Sequence, residues 1–169
     1  MGRRIPPVRL RVLALCLLVL LALPAAAAAS VEQGTISPNR GAAGITLGLT
    51  RAQVVAKLGK PLYENSYGYM QYSRNNLFDL YRRGGVVDLI GISGPKFCLK
   101  GGICVLKRVV PKLKAKFGSR LAFEESTEDG TQAWIVHGRY LGRGVFTSFE
   151  VDGRSDHARL IMVWIGFDD

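Results

Sequence analysis

The chain has 169 residues, 48% of them apolar, and carries 23 basic against 13 acidic side chains for a formal charge of +10. That length suits one domain with its own core and leaves little room for a second. Four of the arginines and the longest apolar run lie in the first thirty residues.

Met1-Gly2-Arg3-Arg4, with Arg9 and Arg11, precedes an unbroken apolar run from Val12 to Leu23, then Pro24 and the alanines Ala25 to Ala29. A basic start, a short apolar core and small residues at the end form the pattern of a cleaved secretory signal. A helix crossing a bilayer needs ~20 apolar residues, and this run has twelve. Residues 1–29 are therefore predicted to be a signal peptide cut after Ala29, with no retained transmembrane segment. Cys16 follows Leu15 inside the apolar run, so it is not placed as a lipid-attachment cysteine. Arg3-Arg4 gives part of a twin-arginine pattern, with Pro6 and Pro7 where an apolar residue would stand, and the export route stays open. Losing four arginines lowers the charge from +10 to +6. The expected location is secreted or extracytoplasmic, in the cell envelope, where nucleic acid is not an expected partner.

Residues 30–43 include Gly34, Ser37, Pro38, Asn39 and Gly41 and read as a flexible lead-in. The domain is placed on 44–169, built from units 44–93 and 102–166. Gly44-Ile45 to Leu58-Gly59 can be laid beside Gly102-Ile103 to Phe117-Gly118, since each opens with Gly-Ile and closes with an apolar residue and Gly. In the first copy Thr50 and Gln53 form a capping-box pattern, and Val54, Val55 and Leu58 share a helical face. Gly59 and Pro61 end that helix. Aligning Val54 with Leu113 and Leu58 with Phe117 puts Pro111 in the first turn of the second helix, where a missing N–H is tolerated.

Strand-like segments follow each helix: Tyr67 to Tyr72, Leu77 to Tyr81 and Val86 to Ile92, then Ala133 to His137, Val145 to Val151 and Arg159 to Ile165. Arg82-Arg83-Gly84-Gly85, Gly142-Arg143-Gly144 and Asp152-Gly153 are tight connectors between them. The predicted class is α+β: two tandem repeats of a short helix plus a three-stranded antiparallel β-meander, with the helices packed on one face of the sheet. Gly48-Leu49-Thr50, Gln53-Val54 and Leu58-Gly59-Lys60-Pro61, followed by a tyrosine-bearing strand, resemble the SmpA/BamE-like family of extracytoplasmic modules. A tandem pair of such units is similar to the β-lactamase inhibitory protein type of fold. The resemblance covers roughly residues 44–166, strongly in the first copy and faintly in the second. Its motifs are structural and imply a fold more than a partner, with a β-lactamase-inhibitor or other protein-inhibitor role as one version of the function it implies. The sequence departs from the family in having one convincing helix per unit and no lipid-attachment cysteine.

No catalytic, cofactor or metal site is expected. His137 and His157 stand apart, and the carboxylates Glu124, Glu125, Glu128 and Asp129 read as a solvated acidic turn. Gly91-Ile92-Ser93-Gly94 lacks the last glycine of a nucleophile elbow, because Pro95 occupies that place. Gly138, Gly142 and Gly144 are not followed by the helix start that a phosphate loop requires. Cys98 and Cys104 are the two cysteines left after export, and a local disulfide is expected, without a Cys-x-x-Cys redox motif. Lys96, Lys100, Lys107, Arg108, Lys112, Lys114, Lys116 and Arg120 follow one another with no acid between 96 and 120. Lys112, Lys114 and Lys116 cannot share one helical face, so their charge wraps around the second helix. Tyr63, Tyr67, Tyr69, Tyr72 and Tyr81 crowd the first meander; Tyr67 and Tyr69 alternate onto one face, and Tyr72 needs a bulge to join them. Trp134 and Trp164 are placed in the core or in sheet packing.

The sequence thus predicts a non-enzymatic module that binds an extracytoplasmic protein through an aromatic sheet face (Tyr67, Tyr69, Tyr72, Tyr81) and a basic helix (Lys107, Arg108, Lys112, Lys114, Lys116). The alternative is a peripheral binder of anionic membrane lipid or cell-wall polymer through the Lys96–Arg120 cluster. Mass spectrometry of the exported protein should find its N-terminus between Ala26 and Val31; a chain retaining Met1 would refute the export reading.

Overall fold

The computed structural model describes residues 30–125 and 130–168. The expected signal peptide, residues 1–29, and the Glu128-Asp129 part of the expected acidic turn lie outside these residues. The larger of two sheets is assembled from two antiparallel meanders. One contains β4 (Tyr63–Glu64), β5 (Met70–Gln71), β6 (Phe78–Arg83) and β7 (Val86–Ile92). The other contains β10 (Leu121–Glu125), β11 (Gln132–Tyr140), β12 (Arg143–Val151) and β13 (Leu160–Phe167). They meet where β7 pairs antiparallel with β13, Ile92 opposite Val163 and Ile90 opposite Ile165, giving the order β10-β11-β12-β13-β7-β6-β5-β4.

A second, smaller sheet is formed by β1 (Gly34–Ser37), β2 (Gly41–Ala42), β3 (Ile45–Thr46), β8 (Phe97–Leu99) and β9 (Ile103–Cys104). Its order is β3-β2-β1-β8-β9, and its central pair β1–β8 is parallel. The helices α1 (Arg51–Leu58) and α2 (Val110–Phe117) are two turns each. Thr50 caps α1 by accepting from the Gln53 N–H while the Gln53 side chain accepts from the Thr50 N–H. Pro111 stands in the first turn of α2, and Gly118 closes that helix.

The α+β class of two helix-plus-three-strand units is therefore corrected: the described residues are mostly β, forming two sheets with two short helices. Each half contributes four strands to the large sheet, not three, because Tyr63–Glu64 and Leu121–Glu125 extend the meanders. The stretch read as a flexible lead-in supplies β1 and β2, with Ile36 and Ala42 both 2% exposed. Strands this short carry no readable alternation, and the parallel partner of β1 lies some sixty positions along the chain, beyond the reach of local pattern reading.

The small sheet and the helices cover one face of the large sheet. Phe97 of β8 stacks on Phe78 of β6 at 5.4 Å between centroids, and Phe117 of α2 meets Phe149 of β12 at 5.6 Å. The row Phe78, Ile92, Val163 and Phe149 on that face is fully buried. Val54 of α1 and Leu113 of α2 close the same core. Between β1 and β2, Asn39 holds the small sheet in place: its N–H donates to the Thr147 hydroxyl, which donates to the Asn39 side-chain oxygen at 2.8 Å.

Cys98 and Cys104 are directly paired across β8 and β9 and are joined by a disulfide. Replacing both with serine should cost about 1–3 kcal/mol of stability without abolishing folding, since the closed ring is small and the strands keep their apolar contacts. Denaturing, non-reducing thiol labelling should find neither residue reactive; two adducts would contradict the bond.

Candidate functional site

Helices and the small sheet bury one face of the large sheet, so strand alternation directs every second side chain to the opposite, outer face. One row on that face crosses all eight strands: Tyr63, Gln71, Asp79, Gly91, Trp164, Ser148, Ile135 and Ala122. A neighbouring row holds Tyr81, Leu89, Gly166, Phe146 and His137. On the other side lie Met162, Glu150, Ala133 and Glu124. These three rows contain no lysine or arginine, although the chain as a whole is strongly basic.

The aromatic rings on this face touch in series. Tyr63 is 5.9 Å from Tyr69, Tyr69 is 5.2 Å from Tyr81, and Tyr81 is 6.1 Å from Trp164, all tilted. Two glycines make this surface possible. A Cβ on Gly91 would come within 2.7 Å of the Trp164 ring, and one on Gly166 within 2.8 Å of both Phe146 and Leu89. With hydrogen in those places, the rings lie against the sheet. The Trp164 indole N–H donates to Glu150 at 2.7 Å, which fixes its edge.

Asp79 sits among these rings and is only 7% exposed. Its carboxylate accepts a hydrogen bond from the Tyr69 hydroxyl at 3.0 Å. Burial pushes the Asp79 carboxyl above its ordinary range, and the Tyr69 hydrogen bond opposes that rise in part. The phenols of Tyr69 and Tyr81 are likewise raised, first by burial and then by the negative charge of Asp79. At the edge of the sheet Glu64 takes Arg51 at 2.8 Å and Arg82 at 2.9 Å, and the Arg51 hydrogen bond above all lowers its carboxyl.

The sequence-derived tyrosines separate into three environments. Tyr69 and Tyr81 join the aromatic face. Tyr67 is 90% exposed in the turn between β4 and β5. Tyr72 is fully buried and donates to the Gly59 carbonyl, so it does not lie on the outer face; burial raises its phenol to about 12. Trp134 faces the core side beside Phe123, with Lys114 over its ring. Trp164, read as a packing residue, instead belongs to the outer face. Its neighbours Val163 and Ile165, both fully buried, were the signal in the sequence that it points the other way.

The basic residues lie elsewhere. Lys112 and Lys116 share one side of α2, whereas Lys114 pairs with Asp156 at 2.7 Å. Lys107 and Arg108 are exposed on the segment before α2, next to β13. Two open grooves share Lys100. One is lined by Gln33, Thr35 and Lys96, the other by Ile103, Lys112 and Lys116. Among the described residues no group of three or more His, Cys, Asp or Glu is placed to hold a metal. His137 stands 3.4 Å from Asp168 at an exposed end of the sheet. No described helix is long and apolar enough to cross a membrane. No family model matches the chain, and no curated protein or solved structure is significantly similar to it.

Because burial raises the Asp79 carboxyl, the folded protein keeps that proton to higher pH than the unfolded chain does. The destabilising effect is absent below the unfolded value and grows as pH rises through the folded one. Asp79→Asn retains an acceptor for Tyr69 and removes the charge, so its melting midpoint at pH 7 should equal or exceed that of the wild type. A fall of about 5 °C or more would contradict this account of Asp79.

Proposed function

We propose that the protein is an exported, non-enzymatic interaction module whose partner is an extracytoplasmic protein docked on the outer face of the large sheet. The observation that carries this reading is the contiguous aromatic series Tyr63, Tyr69, Tyr81 and Trp164 on a sheet face that neither helix nor second sheet covers. Tyrosine and tryptophan supply large rigid contact area and dominate binding hot spots. Placed on strands and seated over glycine, these rings are already held in the arrangement a partner would meet, which reduces the ordering cost of association. The charge-poor centre of the face and its polar rim, which includes Glu124 and His137, match the usual anatomy of such interfaces.

A second reading, a peripheral binder of anionic lipid or wall polymer, is favoured by the two adjoining grooves lined with Lys96, Lys100, Lys112 and Lys116. Capture from envelope extracts separates the two. A protein held on the aromatic face should stay bound at high salt, while a polyanion on the lysines should be released. The double variant Tyr81→Ala/Trp164→Ala, first checked for folding by circular dichroism and melting, should weaken protein capture by about 2 kcal/mol or more. Lys112→Glu with Lys116→Glu should then change mainly the association rate and its salt dependence. Undiminished capture by the folded tyrosine–tryptophan variant, with loss in the lysine variant, would overturn the proposal in favour of the second reading.

A further inference from the structure

We propose that the aromatic face receives a cationic side chain of its protein partner, an arginine or lysine seated against Tyr69, Tyr81 and Trp164 and paired with the carboxylate of Asp79. This inference rests on the interaction face above and specifies the chemistry of what binds there. It begins with the location of Asp79, which alternates with the core residues Phe78 and Leu80 and therefore points to the side that helices and small sheet leave open. An acid on such a surface is ordinarily solvated, yet this one is 7% exposed because the neighbouring rings surround it. An ionised carboxylate has room for about four hydrogen bonds, and the side-chain donor it has among the described residues is the Tyr69 hydroxyl.

A partner covering this face would strip away the remaining water. A neutral or apolar contact would leave the desolvated charge uncompensated, and an anionic one would add repulsion. An arginine or lysine would supply the missing donors and positive charge in the same step. The surrounding rings reinforce the choice, since cations are drawn to the faces of tyrosine and tryptophan at about 6 Å or less from the centroid. The wider surface is complementary as well. Asp79, Glu150 and Glu124 lie in its three rows without a single lysine or arginine, while the basic residues of α2 and its groove lie on elements that cover the opposite face.

The test uses the folded, disulfide-bonded protein labelled with nitrogen-15 and three small probes: N-acetylarginine amide, N-acetyllysine amide and the neutral N-acetylglutamine amide. The resonances followed are the backbone amides of Asp79 and Tyr81 and the indole N–H of Trp164, with the Trp134 indole on the other face as internal control. The cationic probes should shift the first three saturably, with dissociation constants on the order of 10 mM, as befits one isolated side chain. The glutamine probe should not. Asp79→Asn, which preserves shape and the Tyr69 acceptor, should weaken the response to the arginine probe about fivefold or more while the spectrum stays dispersed. An equal response to the neutral probe, a response unchanged by Asp79→Asn, or no saturable shift up to about 100 mM would overturn the inference. Its failure is separable from failure of the face itself: silent probes alongside capture lost in Tyr81→Ala/Trp164→Ala would sink the cation alone, whereas capture intact in that variant would sink both.

Discussion

The antiparallel pairing of β7 with β13 is the constraint on which the surface of this protein depends. Two four-stranded meanders become one eight-stranded sheet only because Ile90 and Ile92 lie opposite Ile165 and Val163. The same register sets Gly91 opposite Trp164 and Gly166 opposite Leu89 on the reverse side. A slip of one residue would exchange the faces, exposing fully buried isoleucines and burying the aromatic series. Core packing and the candidate binding surface are thus two consequences of one pairing.

That coupling explains why the chemistry is concentrated where it is. A sheet covered on one side must place its alternate residues in water, and natural sheets usually fill those places with charged or small polar groups. Here the centre of the outer face holds rings, glycines and one desolvated acid, an arrangement that local stability does not favour. Asp79 in particular is buried among the rings with its carboxyl raised by that burial, a cost to the fold at neutral pH. The disulfide has a different place: it ties β8 to β9 at the edge of the small sheet, close to the groove that contains Lys96 and Lys100.

Much of this was legible in the residues, and the omissions have physical causes. Alternating apolar patterns located the long strands from Val86 to Ile92 and from Val145 to Val151, and the Thr50/Gln53 box located α1. Tyr72 carried its own warning, being out of phase with Tyr67 and Tyr69, and it is buried. The small sheet was invisible because strands of two to four residues have no period to read and because β1 pairs in parallel with β8, some sixty positions along the chain. Trp164 does pack on the sheet, over Gly91, but on the outer face; the alternation that puts it and Asp79 there lies in their apolar neighbours Val163, Ile165, Phe78 and Leu80. Lysines were easier: the spacing of Lys112, Lys114 and Lys116 already divided them between two sides of a helix, and Lys114 is the one that pairs with Asp156.

Oxidative footprinting of the protein with its captured partner bound and removed addresses the central claim most directly, since it reads the covered side chains in place and without substitution. The account predicts that Tyr81, Trp164 and Met162 on the outer face are protected by the partner, while Leu106 and Leu141 at distant exposed turns oxidise at unchanged rates. Unaltered oxidation of Tyr81 and Trp164, together with protection confined to the surface of α2 and the Lys100 groove, would contradict it.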